Sequence, residues 1–399
     1  MAEAPWITII GLGEDGPDGL SGASRKALEA AEVIMGSKRH LSLLSDVRVP
    51  QIAWPVPFAD GIARLKTLKG QRVAVLASGD PFWFGAGSVI ARHFAPSDWR
   101  AFPGRSTFSL AASRLGWALE KVVCLGLHAL PLTQLRPHLA AGRQMLVLLR
   151  NGEAVQELAD YLEQQGFGQS TLTAFEALGG LREKVTRLRV QDADQHSFAH
   201  PVCVAVEVAG IGPALPCASG LEDRLFESDG VMTKRPVRAI TLSSLAPKPG
   251  ELLWDIGAGS GSVAIEWLLS HPACRAIAIE PRADRVALIK SNAQNLGADR
   301  LEVVVGQAPD VLAGLAVPDA VFIGGGVSEE MIGALSACLS AGTRVVANAV
   351  TLEGEALLTQ LQTDRGGGLM RIEIATGHPL GSKRGWKPAY PVVQWSGVL

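Results

Sequence analysis

The residues best suited to do chemistry lie in ELLWDIGAGSGSVAIEWLL, residues 251–269. An apolar run ends at Asp255 and Ile256 and passes straight into Gly257, Ala258, Gly259, Ser260 and Gly261. Glycines at this spacing allow a tight turn. They also let a ligand approach the backbone at a helix N-terminus, where N–H groups are unpaired. Twenty-one residues after Gly259, the next apolar run ends in Glu280. A carboxylate at a strand end can accept both hydroxyls of a ribose. Turn, helix and acid together predict a nucleoside cofactor site.

Three further loops lie in the N-terminal half. GLGEDG starts at Gly11, after an apolar run, and includes Gly13. SGDPFWFG, residues 78–85, follows Val73–Ala77, and PGRSTFSLAASRLGW, residues 103–117, follows another short extended segment. Each sits just beyond a strand C-terminus, where open α/β sheets bind ligands. Asp80 also has a plain alternative, a turn carboxylate that accepts the N–H of a following residue.

Short β-branched runs alternate with helix-length amphipathic stretches along the whole chain. Examples of the strands are Trp6–Ile10, Arg72–Ala77, Met145–Leu149, Val202–Val208, Glu251–Ile256, Arg275–Glu280, Leu301–Val305, Ala320–Ile323 and Arg344–Ala347. This predicts an α/β protein with mostly parallel sheets. AGIGPALPCASG, residues 209–220, has neither charge nor periodicity and reads as a linker. Domains are therefore expected at 1–211 and 222–399, joined by 212–221, with a further split of the first near 115–120.

Composition narrows the function classes. The 399 residues carry 37 basic and 39 acidic side chains, a net charge of −2, which argues against a nucleic-acid coat. Apolar runs are strand-sized, and the N-terminus, with Glu3, shows no basic leader, so neither membrane insertion nor secretion is expected. Five scattered cysteines and a lone pair of nearby histidines, His196 and His200, lack metal-ligand spacing. A cytoplasmic protein with reduced thiols and no metal is expected.

The spacing of the second half resembles class I S-adenosylmethionine (SAM) methyltransferases. With VMTKRPVRAITLSSL (231–245), DAVFIGGG (319–326) and VVANAVTLE (345–353), it resembles the decarboxylating precorrin C15-methyltransferases of cobalamin biosynthesis across nearly all of 222–399. That resemblance implies a Rossmann-like fold. It assigns SAM contacts to Thr233, Gly257, Ala258, Gly259, Ser260, Gly261, Glu280, Gln307 and Ala308. Gly324–Gly326 would face the substrate, with Gly325 central, or would simply let a helix pack closely. GLGEDGPDGLS, AAEVIMGSKRHL (30–41), LASGDPFWFG and FSLAASRLGW resemble the unrelated tetrapyrrole methylase family, in its precorrin C5-methyltransferase branch, over about residues 5–210. This implies a two-lobed fold, with Gly11, Gly13, Ser78, Gly79, Asp80, Ser106, Thr107 and, more peripherally, Glu176 around a second SAM. The wider family has GxGPGD where this chain has Glu14-Asp15.

Together the resemblances imply two methylations of one macrocycle. Precorrin-6B would be methylated at C5 and C15 and would lose its C12 acetate carboxyl, giving precorrin-8X. A meso carbon pushed by a ring nitrogen is already nucleophilic, so positioning is enough and no Ser-His-Asp set is needed. The anionic tetrapyrrole needs cationic partners. Lys234, Arg235, Arg238, Lys383, Arg384 and Lys387, with Trp386, are the candidates, each with a solvated-surface alternative. A homo-oligomer is expected by analogy alone. Competing readings are an RNA or protein methyltransferase with an N-terminal binding module, a non-catalytic tetrapyrrole carrier, and an NAD enzyme.

Overall fold

The computed structural model of the chain describes residues 5–44 and 48–399. The segment carrying Glu3 lies outside the described residues. The chain divides into two compact units, residues 1–132 with 138–213, and 133–137 with 214–399. No described helix is long and apolar enough to cross a membrane.

The N-terminal unit begins with β1 (Ile7–Leu12), β2 (Val33–Gly36), β3 (Gln51–Ala53), β4 (Val73–Ser78) and β5 (Trp99–Phe102). They form one sheet in the order β3-β2-β4-β1-β5, and every neighbouring pair is parallel. A parallel sheet covered on both faces needs unbroken apolar strands, and β1 and β2 are buried throughout. Strand alternation divides the side chains. Ile7, Ile9, Val73 and Val75 pack with Ile62, Leu65 and Ile90 on one face, while Ile10, Leu12, Ala74 and Leu76 pack with Ala27 and Leu28 on the other.

A second sheet follows from β6 (Val123–Gly126), β7 (Gln144–Leu149), β8 (Thr171–Glu176), β9 (Lys184–Arg189) and β10 (Val202–Glu207), ordered β6-β7-β10-β8-β9. Only β6 and β7 are parallel; the other three pairings are antiparallel. This corrects the expectation of mostly parallel sheets for this lobe. Apolar runs reveal burial on two faces but not strand direction. The two sheets give the unit two lobes.

The C-terminal unit contains β11 (Leu252–Ile256), β12 (Arg275–Glu280), β13 (Glu302–Val305), β14 (Ala320–Ile323), β15 (Arg344–Ala349), β16 (Gly368–Ile372), β17 (Ala375–Leu380), β18 (Lys383–Pro388) and β19 (Val392–Val398). Seven strands lie in the order β13-β12-β11-β14-β15-β19-β16, parallel from β13 to β15 and antiparallel beyond. Among the described residues β17 and β18 pair only with each other. The strand order reverses at β11. Open α/β sheets hold their ligands at such a point, outside the carboxyl ends.

The stretch read as a linker is tied at both ends. Gly212 donates its N–H to Gly166 O at 2.9 Å. Gly220 and Leu221 donate theirs to the Glu266 carboxylate at 2.6 and 2.9 Å.

Candidate functional sites in the two units

In the N-terminal unit the three glycine loops meet at their glycines. Gly79 donates its N–H to Leu12 O at 3.1 Å and accepts the Gly104 N–H at 3.0 Å. A Cβ on Gly11 would lie 1.9 Å from Gly79 O and 2.4 Å from Gly104 N, so only glycine allows the approach. Ser106 caps the helix Thr107–Leu115 by accepting the Ser109 N–H at 3.0 Å. Gly13, Ser78, Gly79, Asp80, Ser106 and Thr107 thus line one cavity of about 520 Å³. Asp80 realises its turn alternative, accepting the Phe82 N–H at 2.9 Å, while still facing the cavity.

Two predicted contacts lie off that wall. Gly11 is buried beneath the crossing it permits and does not line the cavity. Glu176 is buried, accepts the Ala199 N–H at 2.7 Å and sits 3.4 Å from Lys184 Nζ, so its carboxylate serves the fold.

Sequence reading missed much of the remaining wall. Trp83 and Phe84 pack on Phe108 at 4.9 and 6.0 Å and form an apolar side. Arg39 and His40 arrive on the short helix Lys38–Ser42, capped by Ser37 directly after β2. Arg39 Nη2 donates to Ser78 Oγ at 2.6 Å, and His40 Nε2 lies 2.9 Å from the same oxygen. Burial first, then Arg39, pushes His40 down to about 3, against a backbone bond at Leu76 that acts the other way. Burial also lowers His128 and His200, the latter with help from Arg39. A signal did exist: SKRH follows an apolar strand, and that places its side chains at the carboxyl edge.

In the C-terminal unit Gly257, Gly259 and Gly261 have φ of 70°, 60° and 75°, left-handed values that favour glycine. Glu280 is 2% exposed. It accepts the Gly259 N–H at 2.9 Å and the Arg282 N–H at 3.2 Å. A carboxylate has about four lone-pair sites, so capacity for two ribose hydroxyls remains. Thr233, Gly257, Ala258, Gly259, Glu280, Gln307, Ala308 and Gly325 all line a cavity of about 1150 Å³. Ser260 and Gly261 do not line it; Ser260 is buried, and Gly261 sets the turn against Ile289.

Two buried polar atoms next to the turn, Asp255 Oδ1 and Ser260 Oγ, have no partner. Burial, with the nearby Glu280 adding to it, lifts Asp255 to about 7, although the Ala264 N–H opposes the rise. SAM fits this cavity. Gly257 and Gly259 present no Cβ to it, the strand-end acid has spare acceptors, and the volume admits a nucleoside with an amino-acid arm. The N-terminal cavity fits it too, with the glycine turn at Gly79 and the Ser106-capped helix N-terminus at Thr107 both on its wall.

The proposed substrate cations separate into three groups. Lys234 is exposed and lines the cavity; Arg235 is exposed but lies outside the lining. Lys383, Arg384 and Trp386 stand on the exposed β17–β18 hairpin, away from the wall, although its root residues Thr376, Ala389 and Tyr390 reach it. Lys387 shares that exposed strand.

Arg238 is corrected outright. It is 0% exposed, pairs with Glu266 and Asp223, and donates to the Thr233 and Leu221 carbonyls. A guanidinium so enclosed cannot reach a substrate carboxylate. The sequence also gave no sign of Asn348. It lines the cavity and joins Thr241 and Gln394 in a buried amide network at 2.9–3.1 Å.

Comparison with known proteins follows the same division. Residues 7–194 match the tetrapyrrole (corrin/porphyrin) methylases, and residues 224–399 match a precorrin methyltransferase domain. A Sinorhizobium protein named precorrin-6Y C(5,15)-methyltransferase [decarboxylating] is 47% identical over 398 residues, 98% of this chain and 96% of its own. A protein of the same name from Mycobacterium tuberculosis is 38% identical over 400 residues, 98% of this chain and 99% of its own. The crystal structure of the C-terminal domain of precorrin-6Y C5,15-methyltransferase from Rhodobacter capsulatus shows 52% identity. It covers 46% of this chain and 100% of that one, with a TM-score of 0.45. Identity sustained from end to end, with a methylase match in each half, places this chain in the precorrin-6Y C(5,15)-methyltransferase (decarboxylating) family.

Proposed function

We propose that the chain methylates precorrin-6B at C5 in the N-terminal cavity and at C15 in the C-terminal cavity, where the C12 acetate is also decarboxylated to give precorrin-8X. The observation that carries this is the presence of two separate cavities, each built on glycine turns at the carboxyl ends of parallel strands.

When bound, SAM supplies an electrophilic methyl group on a sulfonium. The protein's part is positioning. Gly79, Ser106 and Thr107 in one unit, and the Gly257–Gly261 turn with Glu280 in the other, would hold the donor. Trp83, Phe84 and Phe108 form an apolar wall that would shield the reacting groups from water once the ligands are bound. Alignment of this kind can supply about 7–11 kcal/mol of the barrier. In the decarboxylation the bond to the carboxyl carbon breaks, carbon dioxide leaves, and the electron pair enters the conjugated ring before a proton restores the methyl group. The macrocycle is therefore its own electron sink.

A small anionic tetrapyrrole as the partner agrees with the cations at the cavities, Arg39 and Arg105 in one and Lys234, Arg282 and Arg285 in the other. The cytoplasmic reading rests on the odd number and scattered spacing of the five cysteines in the sequence. A homo-oligomer rests on resemblance, and light scattering checks it.

Isothermal calorimetry of SAM with the full chain should give two sites. Gly259→Asp should give one, because the new carboxylate would enter the cavity beside Glu280. That variant should still add the C5 methyl but release no carbon dioxide. A single site in the unaltered protein, or loss of both sites in folded Gly259→Asp, would contradict the two-cavity reading.

A further inference from the structure

Glu14, at the step where the wider family carries proline, turns inward; its side chain is 7% exposed. One carboxylate oxygen pairs with Arg39, and the other lies 3.2 Å from Arg182 Nη2. Arg39 is on the cavity wall, with its side chain 24% exposed, and Arg182 is 64% exposed. Arg39 Nη2 also meets His40 Nε2 at 2.8 Å. Arginine can only donate, so that histidine nitrogen is the unprotonated one and the ring is neutral. Two guanidiniums therefore share one carboxylate, Arg39 on the cavity wall and Arg182 just outside the lining, on the other side of Glu14. Nearby, Arg105 is already balanced by Asp15.

An apolar ligand gains nothing from two guanidiniums that share one carboxylate; Asp80, on the same cavity wall, already spends one oxygen on the Phe82 N–H. A carboxylate gains charge-assisted bonds to guanidiniums that are already ordered, so little side-chain entropy remains to be lost. We propose that Arg39 and Arg182 anchor a carboxylate arm of the substrate in the N-terminal cavity, and that Glu14 competes with that arm for them. Glu14 keeps the two arginines apart and aimed at one point before the arm arrives. The inference rests on the assignment of C5 methylation to this unit.

The test is steady-state turnover of precorrin-6B and SAM by the full chain. Mass spectrometry would follow C5 methylation and carbon dioxide release separately. Arg39→Gln should raise the precorrin KM of the C5 step roughly tenfold, the scale of one charge-assisted pair. Carbon dioxide release and SAM affinity should hold, and Arg39→Lys should recover part of the loss. Glu14→Gln should lower that KM, because the internal competitor is gone.

A purely structural clamp behaves differently. Glu14→Gln would then weaken SAM binding and C5 turnover together, as Arg39→Gln would, and that result overturns the anchor. If Arg39→Gln fails to fold, exposed Arg182→Gln carries the same prediction. An unchanged KM in whichever of the two folds overturns the anchor while C5 methylation itself stands. If the unaltered protein adds no methyl at C5, the assignment of this unit falls and the anchor falls with it.

Discussion

Arg238 and Lys234 are four residues apart on one basic stretch, yet physical context divides them. Arg238 has its charge met by Glu266 and Asp223 in a fully buried position, with the Phe226 ring 4.8 Å from the guanidinium. Breaking a buried pair from one side leaves an uncompensated charge and costs about 3–5 kcal/mol. Arg238→Ala should therefore lower the urea midpoint sharply. Lys234→Ala should leave the midpoint in place and raise the precorrin KM for C15 methylation. Equal midpoints for the two variants would refute this division.

At the scale of elements, the N-terminal cavity depends on three loops that touch through their backbones. β1, β4 and β5 are neighbours, so their carboxyl ends deliver Gly11, Gly79 and Gly104 to one point. Gly11→Ala places a methyl group 1.9 Å from a carbonyl oxygen that has no freedom to move aside. Overpacking of this kind costs about 1–3 kcal/mol, and the upper end applies where backbone meets backbone. The expected result is loss of SAM binding in this unit alone, read as one calorimetric site in place of two. Two intact sites would show that the loops can separate.

The whole molecule should respond to pH in two opposing ways. His40 sits at about 3 in the folded state, well below its ordinary 6.5. Its contribution to stability is complete above pH 6.5 and is lost as pH falls toward 3. Asp255 is lifted from 3.8 to about 7. Its contribution is complete below 3.8 and is lost as pH rises toward 7. Acid thus weakens the N-terminal unit through His40, and alkali weakens the C-terminal unit through Asp255. Calorimetric melts between pH 4 and 8 should show this. His40→Gln should flatten the acid side and Asp255→Asn the neutral side, and unaltered slopes would count against these two groups as the source.

Much of this was legible in the sequence. Local chemistry marks a glycine turn after a buried strand, an acid at the next strand end, and β-branched runs such as Val73–Ala77. The observed strands therefore begin and end within a few residues of the expected ones. The candidates that follow directly from strand ends, Ser78, Gly79, Gly257, Gly259 and Glu280, all reach a cavity. Pairing direction was not legible, because an apolar run buried on both faces reads alike whether its neighbours are parallel or antiparallel. Nor was the β17–β18 hairpin, whose glycines, prolines and charges show no alternation of apolar and polar residues. The fate of the charges was the least legible of all. Lys234 faces the cavity, Arg238 is locked against Glu266, and Glu14 is held between two arginines more than twenty residues away in sequence. Sequence spacing determines which backbone turns can form. Only tertiary packing decides which charged groups keep their water and which must find a partner.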